Sequence, residues 1–366
     1  MASTVGLFIR NFQNFFDNGA HQQALMFYKL FESKQIPCKI FIEPSNPKSS
    51  LTSTKIKISK YIPIEDILYV QRDLLSNQFE KVSHIIFLTY LPNNIQFLKY
   101  LKTALKINLF YLISFNYINS FQEYVLFSQN SYISNGFSKK ISRLLDVVLF
   151  DMYQNDSFLL EWYYDRKVKL IPHIWEPVLM KNVFEYNEGK SNRFEFLILE
   201  PNKSFSKNCV IPLVIAKKLC DGFTKIHITS CPTKLKRRIK NMFGNSSSNF
   251  IHHNRTNILK LIESLKKSKI TPIVITHNNN NESNYLLYEL IYNKIKLIHT
   301  SPSLKEYGVF YQSCDLSNLK SNFDAYLLKS NEETARQNIL KKISPLYTDN
   351  SNRILNAINY YKNIII

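Results

Sequence analysis

A chain of 366 residues is longer than one hydrophobic core usually serves, so two domains of ordinary size are expected. Its 45% hydrophobic and 14% aromatic content excludes a disordered chain, and a formal charge of +19 calls for an anionic partner or a heavily solvated basic surface. Five cysteines without CxxC or Cys/His spacing exclude an evident zinc module, and no apolar run reaches the length of a membrane-spanning helix.

Val5 to Arg10 is a short apolar run, a strand by pattern. After the turn-like Asp17-Asn18-Gly19 a helical period runs from Ala20 to about Ser33, and a second apolar run covers Cys38 to Ile42. Strand, helix and strand at this spacing make a βαβ unit. The alternation continues through amphipathic Ile64 to Leu75 in a helix position, apolar His84 to Leu88, helical Asn93 to Leu105, and apolar Leu109 to Ile113, Val147 to Phe150 and Val168 to Ile171. Between Trp175 and Arg193 it lapses into polar sequence with Pro177 and Gly189, as an interdomain linker does. A second series follows, with strands at Phe194 to Leu199, Lys225 to Thr229, Pro272 to Ile275, Lys296 to His299 and Val309 to Tyr311. Helices start near Asn208, Pro232, Arg255 and Asn284, and two more fill Glu332 to Lys362.

The predicted class is α/β, with two Rossmann-like domains facing a cleft. Residues 1–174 form the N-terminal domain, 175–193 the linker, 194–348 the C-terminal domain and 349–366 a final helix. Ligands of such folds bind outside the carboxyl ends of the strands, which selects the loops to read. Asn11 to Asn18 leads to Gly19 at a helix start, where free N–H groups favour an anion. His21, in the first turn, is either a base facing a ligand or part of an ordinary capped helix. The loop after Leu199 holds Glu200, Asn202 and Lys207 ahead of an apolar helix, placing a cation within reach of a diphosphate; the alternative is an exposed loop lysine. After Ile275 come His277, Glu282, Asn284 and Tyr285, then Glu289. The two glutamates lie seven apart, two helical turns, and a carboxylate here either binds ribose hydroxyls or is a solvated helix residue. P-loop, HExxH, GxSxG and Asp-x-Asp signatures are all missing, so no metal ligand is assigned. The opening residues lack a basic leader and a long apolar run, which leads to the expectation of a cytoplasmic protein.

Four blocks in order, FDNGAHQQALMFYKLFES, IPHIWEPVL, LEPNKSFSKNCVIPL and THNNNNESNYLLYELIYNKIKLIHTSPSLKEYGVFYQ, resemble a little-characterised group of bacterial and viral proteins classed with the GT-B glycosyltransferases. The last block also resembles the donor-site stretch of the retaining GT-B superfamily. The resemblance implies a final helix crossing back to the N-terminal domain and a nucleotide-diphosphate sugar as co-substrate, with no other cofactor. It implies that Glu289 binds the donor ribose, that Lys207 neutralises the diphosphate, and that Asn18 and Gly19 face the transferred sugar. The candidate catalytic residues are then His21 and Glu282, and the candidate donor-binding residues are Asn18, Gly19, Glu200, Asn202, Lys207, His277, Asn284, Tyr285 and Glu289.

The expected acceptor is a glycan, a lipid-linked molecule or a protein. The basic cluster Lys234, Lys236, Arg237, Arg238 and Lys240 is either a solvated helical face or a point of peripheral membrane association. Two other functions compete. One is a catalytically inactive GT-B relative that binds sugar; the other is a nucleic-acid-binding protein, disfavoured because the aromatics fall on core periods rather than among the cations.

Overall fold

The computed structural model describes residues 3–10, 19–43, 58–71, 74–92, 94–113, 139–151, 157–177, 193–200, 209–220, 223–231, 233–244, 249–253, 258–277, 284–312, 316–328 and 332–358. Two compact units emerge, one from Met1–Leu179 with Lys341–Ile366, the other from Met180–Leu340.

In the first unit the strands are β1 (Thr4–Arg10), β2 (Cys38–Glu43), β3 (Ile67–Tyr69), β4 (Val82–Leu88), β5 (Asn108–Ile113), β6 (Val147–Asp151) and β7 (Val168–Ile171). They form one parallel sheet in the order β3-β2-β1-β4-β5-β6-β7, with Leu7 of β1 in register with Ile40 and Ile86. Parallel strands buried on both faces favour near-continuous apolar runs, and β1 supplies Val5, Leu7, Phe8 and Ile9. Val5, Leu7 and Ile9 join one core with α1 (Gly19–Ser33), while Phe8 joins the opposite core with Phe41, Ile85 and Phe87. Between the later strands lie the helices α2 (Leu75–Phe79), α3 (Ile95–Lys99), which runs on into a π-helical turn at Tyr100–Ala104, α4 (Lys139–Ser142) and α5 (Ser157–Tyr164).

The sequence places a helix over Ile64 to Leu75, and here the structure differs. A single 3-10 turn at Ile64–Asp66 leads into β3, whose Ile67, Leu68 and Tyr69 pair with Ile40, Phe41 and Ile42. Backbone pairing to an available sheet edge overrides a weak helical period.

The second unit contains β8 (Phe194–Ile198), α6 (Val210–Leu219), β9 (Ile226–Ile228), α7 (Thr233–Phe243), β10 (Phe250–His252), α8 (Ile258–Lys267), β11 (Thr271–Ile275), α9 (Tyr285–Tyr292), β12 (Lys296–His299), β13 (Val309–Phe310) and α10 (Leu319–Leu328). Its sheet is also parallel, in the order β10-β9-β8-β11-β12-β13. The edge strand β10 is absent from the sequence reading, because three residues between polar stretches carry too little pattern. On one face Phe196, Ile198, Ile226, Ile228, Ile273 and Ile275 pack against α6 and α10 through Leu213, Ala216 and Phe323.

The other face holds a polar chain. His227 Nε2–H donates to the Glu195 carboxylate at 2.6 Å, and His227 Nδ1 lies 2.8 Å from His253 Nε2. Glu195 and His227 are both buried, so β8, β9 and the end of β10 are tied by side chains as well as by the ladder. Gly308 precedes β13 at φ +78, where an added Cβ would sit 2.5 Å from the Leu297 carbonyl oxygen, so only glycine is accommodated.

The chain ends with α11 (Glu333–Ile343) and α12 (Thr348–Ala357). Ile354, Leu355, Ala357 and Ile358 enter the core of β1 and α1, so the C-terminal helix does return to the N-terminal unit. Trp175 N–H donates to the Ile343 carbonyl at 2.8 Å, and Glu176 accepts from Ser344 Oγ at 3.1 Å and pairs with Lys29 at 3.5 Å.

Candidate functional site

Strand order reverses between β1 and β4 in one sheet and between β8 and β11 in the other. At such a switch point neighbouring connections leave in opposite directions and open a crevice beyond the strand ends. In the second unit a cavity of about 130 Å³ occupies that position. Leu199, Val274, Leu286, Leu287 and Leu290 give it apolar walls, and Glu200, Thr276 and Asn284 supply convergent polar groups.

Each polar group is held. Glu200, 5% exposed, follows β8 and its Oε1 accepts the His277 backbone N–H at 3.3 Å, which links the ends of the two switch-point strands. Asn284 caps α9, its Oδ1 accepting the Leu286 N–H at 3.2 Å. Tyr311 O–H donates to the Thr276 carbonyl at 3.2 Å and lies 3.0 Å from His277 Nδ1. A phenol has one proton, so His277 Nδ1–H must be the donor in the second contact, which leaves Nε2 as an acceptor. Burial lowers the His277 pKa and keeps the ring neutral; burial, then the Glu200 charge, raises that of Tyr311. Tyr311 and Thr276 were not singled out by sequence; their position just past strand ends was the available signal.

The other proposed donor-site residues are distributed unevenly. Tyr285 is buried in the core of α9 rather than on the cavity wall. Glu289 is half-buried, about 60° around α9 from the cavity-facing Leu286. Asn18, Asn202, Lys207 and Glu282 lie outside the described residues.

At the switch point of the first unit, exposed Gly19 opens α1 and His21 lies completely buried behind it. His21 Nε2–H donates to the Arg10 carbonyl at 2.8 Å, tying the end of β1 to the first turn of α1. One ring nitrogen is thereby committed to the backbone, which is a positioning role in this conformation. Beside it the Arg10 guanidinium lies 5.1 Å from the centre of the Tyr90 ring. Tyr90 titrates above its ordinary range through burial, then the charge and hydrogen bond of Glu43. Thr89, immediately before it, adopts φ +59, which a β-branched residue rarely does. Strain and charge therefore coincide here. Asp151 and His173, buried at the ends of β6 and β7, approach to 3.6 Å.

Buried histidines also set an acid limit. Burial lowers the pKa of both His84 and His299 to about 4. His299 is fixed as the neutral ring, donating from Nε2 to the Tyr307 carbonyl at 2.7 Å and accepting the Ser301 N–H at 3.2 Å. An unfolded histidine titrates near 6.5. Between about pH 6.5 and 4 the unfolded chain therefore binds more protons at these two positions than the folded one, so their contribution to stability falls as pH drops through that window and is gone below it. Two such groups give a slope of at most about 3 kcal/mol per pH unit. Denaturant midpoints recorded from pH 7 to pH 4 should fall accordingly; a flat profile would contradict the assignment of neutral, buried rings.

Comparison with known proteins adds the following. Residues 4–338 match the model of a family described as protein of unknown function (DUF2827). None of the curated proteins matches the sequence significantly. Among solved structures, an alpha-glucosyltransferase in complex with UDP and a 13-mer DNA is similar at TM-score 0.61 and 11% identity, covering 98% of this chain and 100% of that one. TarM is similar at TM-score 0.60 and 10% identity, with 98% and 99% covered. The lipopolysaccharide outer core galactosyltransferase WaaB is similar at TM-score 0.57 and 11% identity, with 98% and 99% covered. At these identities the likeness establishes the fold, the two-domain α/β architecture of GT-B glycosyltransferases.

Proposed function

We propose that this chain, which belongs to the DUF2827 family, is a glycosyltransferase that takes a nucleotide-sugar donor at the switch point of its second unit. The observation carrying this reading is the cavity between the ends of β8 and β11, with Glu200, Thr276 and the Asn284 cap converging beside the Glu289 helix. The UDP-bound alpha-glucosyltransferase with the same fold supports a nucleotide diphosphate as the leaving group. The acceptor is a glycan, a lipid-linked molecule or a protein; its hydroxyl oxygen forms the new bond to the anomeric carbon as the carbon–oxygen bond to the diphosphate breaks, and the hydroxyl proton passes to the departing diphosphate.

The chemistry divides by residue. Glu289 binds the ribose hydroxyls, while Asn284 and the α9 N-terminus face the diphosphate, where the helix dipole favours negative charge. Lys207 supplies a full positive charge, and neutral His277 offers Nε2 as an acceptor for a sugar hydroxyl. Asn202 is assigned to the donor surround and Glu282 to a catalytic role beside it. The leaving group needs no divalent metal in this scheme, so EDTA should leave the rate nearly unchanged.

Nucleotide diphosphate release from a panel of UDP-sugars, with and without glycan acceptors, tests the reading. Release with at least one donor is expected; binding without release would instead favour a sugar-binding subunit. Glu289→Ala removes a contact made in ground and transition states alike, so KM for donor should rise more than kcat falls. An equal loss in kcat and kcat/KM would place Glu289 at the reacting centre instead.

A further inference from the structure

The proposed transfer reaction leaves one surface feature unexplained. Helix α7 carries Lys234, Lys236, Arg237, Arg238 and Lys240 and no acidic residue. Ile239 is buried and anchors it to the sheet, while Lys234, Arg237, Arg238 and Lys240 are exposed. A period of 3.6 residues spreads those four cations over about 160° of the helix surface, one continuous outward stripe. None of the four makes an ion pair among the described residues. Exposed cations elsewhere do: Lys267 with Glu263, Lys320 with Asp324 and Arg353 with Asp349.

Apolar groups sit at one end of the stripe. Phe223 is 94% exposed and Met242, in the last turn of α7, is 55% exposed. Both belong to the end of the sheet where β10 begins. Asn249 Nδ2 donates to the Thr224 carbonyl at 2.6 Å, and the Phe243 ring meets Phe250 of β10 edge-on at 5.4 Å. This is the amino end of the strands, opposite the carboxyl end that carries the donor cavity.

We infer that α7 and the Phe223 turn form a docking surface for an anionic lipid membrane. Cations above the headgroups and an aromatic side chain at the acyl boundary are the two contacts that hold a protein on such a surface. A nucleic acid would ask for aromatics interleaved with cations along a groove. Here the cations lie on a convex helix, and the apolar residues are confined to one end. Each basic residue near an anionic leaflet multiplies binding about fivefold, so the four exposed cations together are worth several hundredfold.

Flotation of the full chain with phosphatidylcholine vesicles, alone or mixed with phosphatidylglycerol, tests this at about 0.15 M salt. Binding should require phosphatidylglycerol. Replacing Lys234, Arg237, Arg238 and Lys240 together by glutamine should abolish it, and Phe223→Ser should weaken it at least tenfold. The Phe223 variant changes a single exposed turn residue, so it reads out the surface even if the fourfold variant misfolds. Binding that ignores phosphatidylglycerol, no binding at all, or an unaffected Phe223→Ser variant would each overturn the inference. Release of the vesicles by a short DNA duplex at equal phosphate concentration would also overturn it, marking the patch as a nucleic-acid surface.

Discussion

Lys207→Ala should lower turnover by about a hundredfold or more, the scale seen when one preorganised electrostatic donor is removed. As the bond to the anomeric carbon breaks, the diphosphate gains negative charge, and whatever meets that charge must be in place beforehand. Without an Asp-x-Asp pair in the sequence to hold a divalent ion, the proposed scheme gives this work to Lys207 and to helix N-termini. Asn284 already satisfies the Leu286 N–H, so the α9 terminus keeps only part of its donor capacity for a ligand. A full positive charge is therefore the larger contribution. Lys207→Arg should recover part of the loss; a Lys207→Ala enzyme as active as wild type would refute this handling of charge.

His227→Ala should cost the second unit about 3–5 kcal/mol, a large share of the stability of an ordinary domain. The substitution removes the donor that Glu195 faces at 2.6 Å and leaves a carboxyl group buried without its partner. It also detaches His253, through which the chain reaches the end of the edge strand β10. The double variant Glu195→Met/His227→Phe should be far less damaged than the single one, because replacing both partners removes the unmet polar group. Denaturant unfolding followed by circular dichroism checks this. A single variant as stable as wild type would mean that the Glu195–His227–His253 chain bears no structural weight.

Much of the architecture was legible because parallel strands buried on both faces must be apolar at successive positions. Val5 to Arg10, Leu109 to Ile113 and Phe194 to Leu199 show that pattern without any knowledge of their neighbours. Two of the edge strands, β3 and β10, did not, whereas β7 and β13 were read as strands. Ile67–Tyr69 and Phe250–His252 are three residues each, half-covered, and exist because a neighbouring strand offers a free ladder edge. That information lies in the tertiary structure.

The site was legible to the level of loops. The segments after Leu199 and Ile275 stand out because they follow the carboxyl ends of apolar strand runs, and there Glu200 and Asn284 line one cavity while Glu200 accepts the His277 N–H. What the sequence left open was how each side chain is used. His21 is spent on the Arg10 carbonyl, Tyr285 is turned into the core, and Tyr311 arrives from a strand that adjoins neither switch-point strand. Spacing along the chain reports which element a residue rides on, and only packing decides which way it faces.

A nucleotide-sugar site in the second unit couples donor binding to folding stability, so ligand linkage measures it. Unfolding transitions recorded across a panel of nucleotide sugars should show stabilisation by at least one donor. At a hundred times its dissociation constant that donor adds roughly 2.7 kcal/mol. The shift should shrink in Glu289→Ala and persist in Phe223→Ser, which lies at the opposite end of the strands. No shift with any nucleotide sugar at millimolar concentration, or an equal shift in wild type and Glu289→Ala, would contradict a donor site at this switch point.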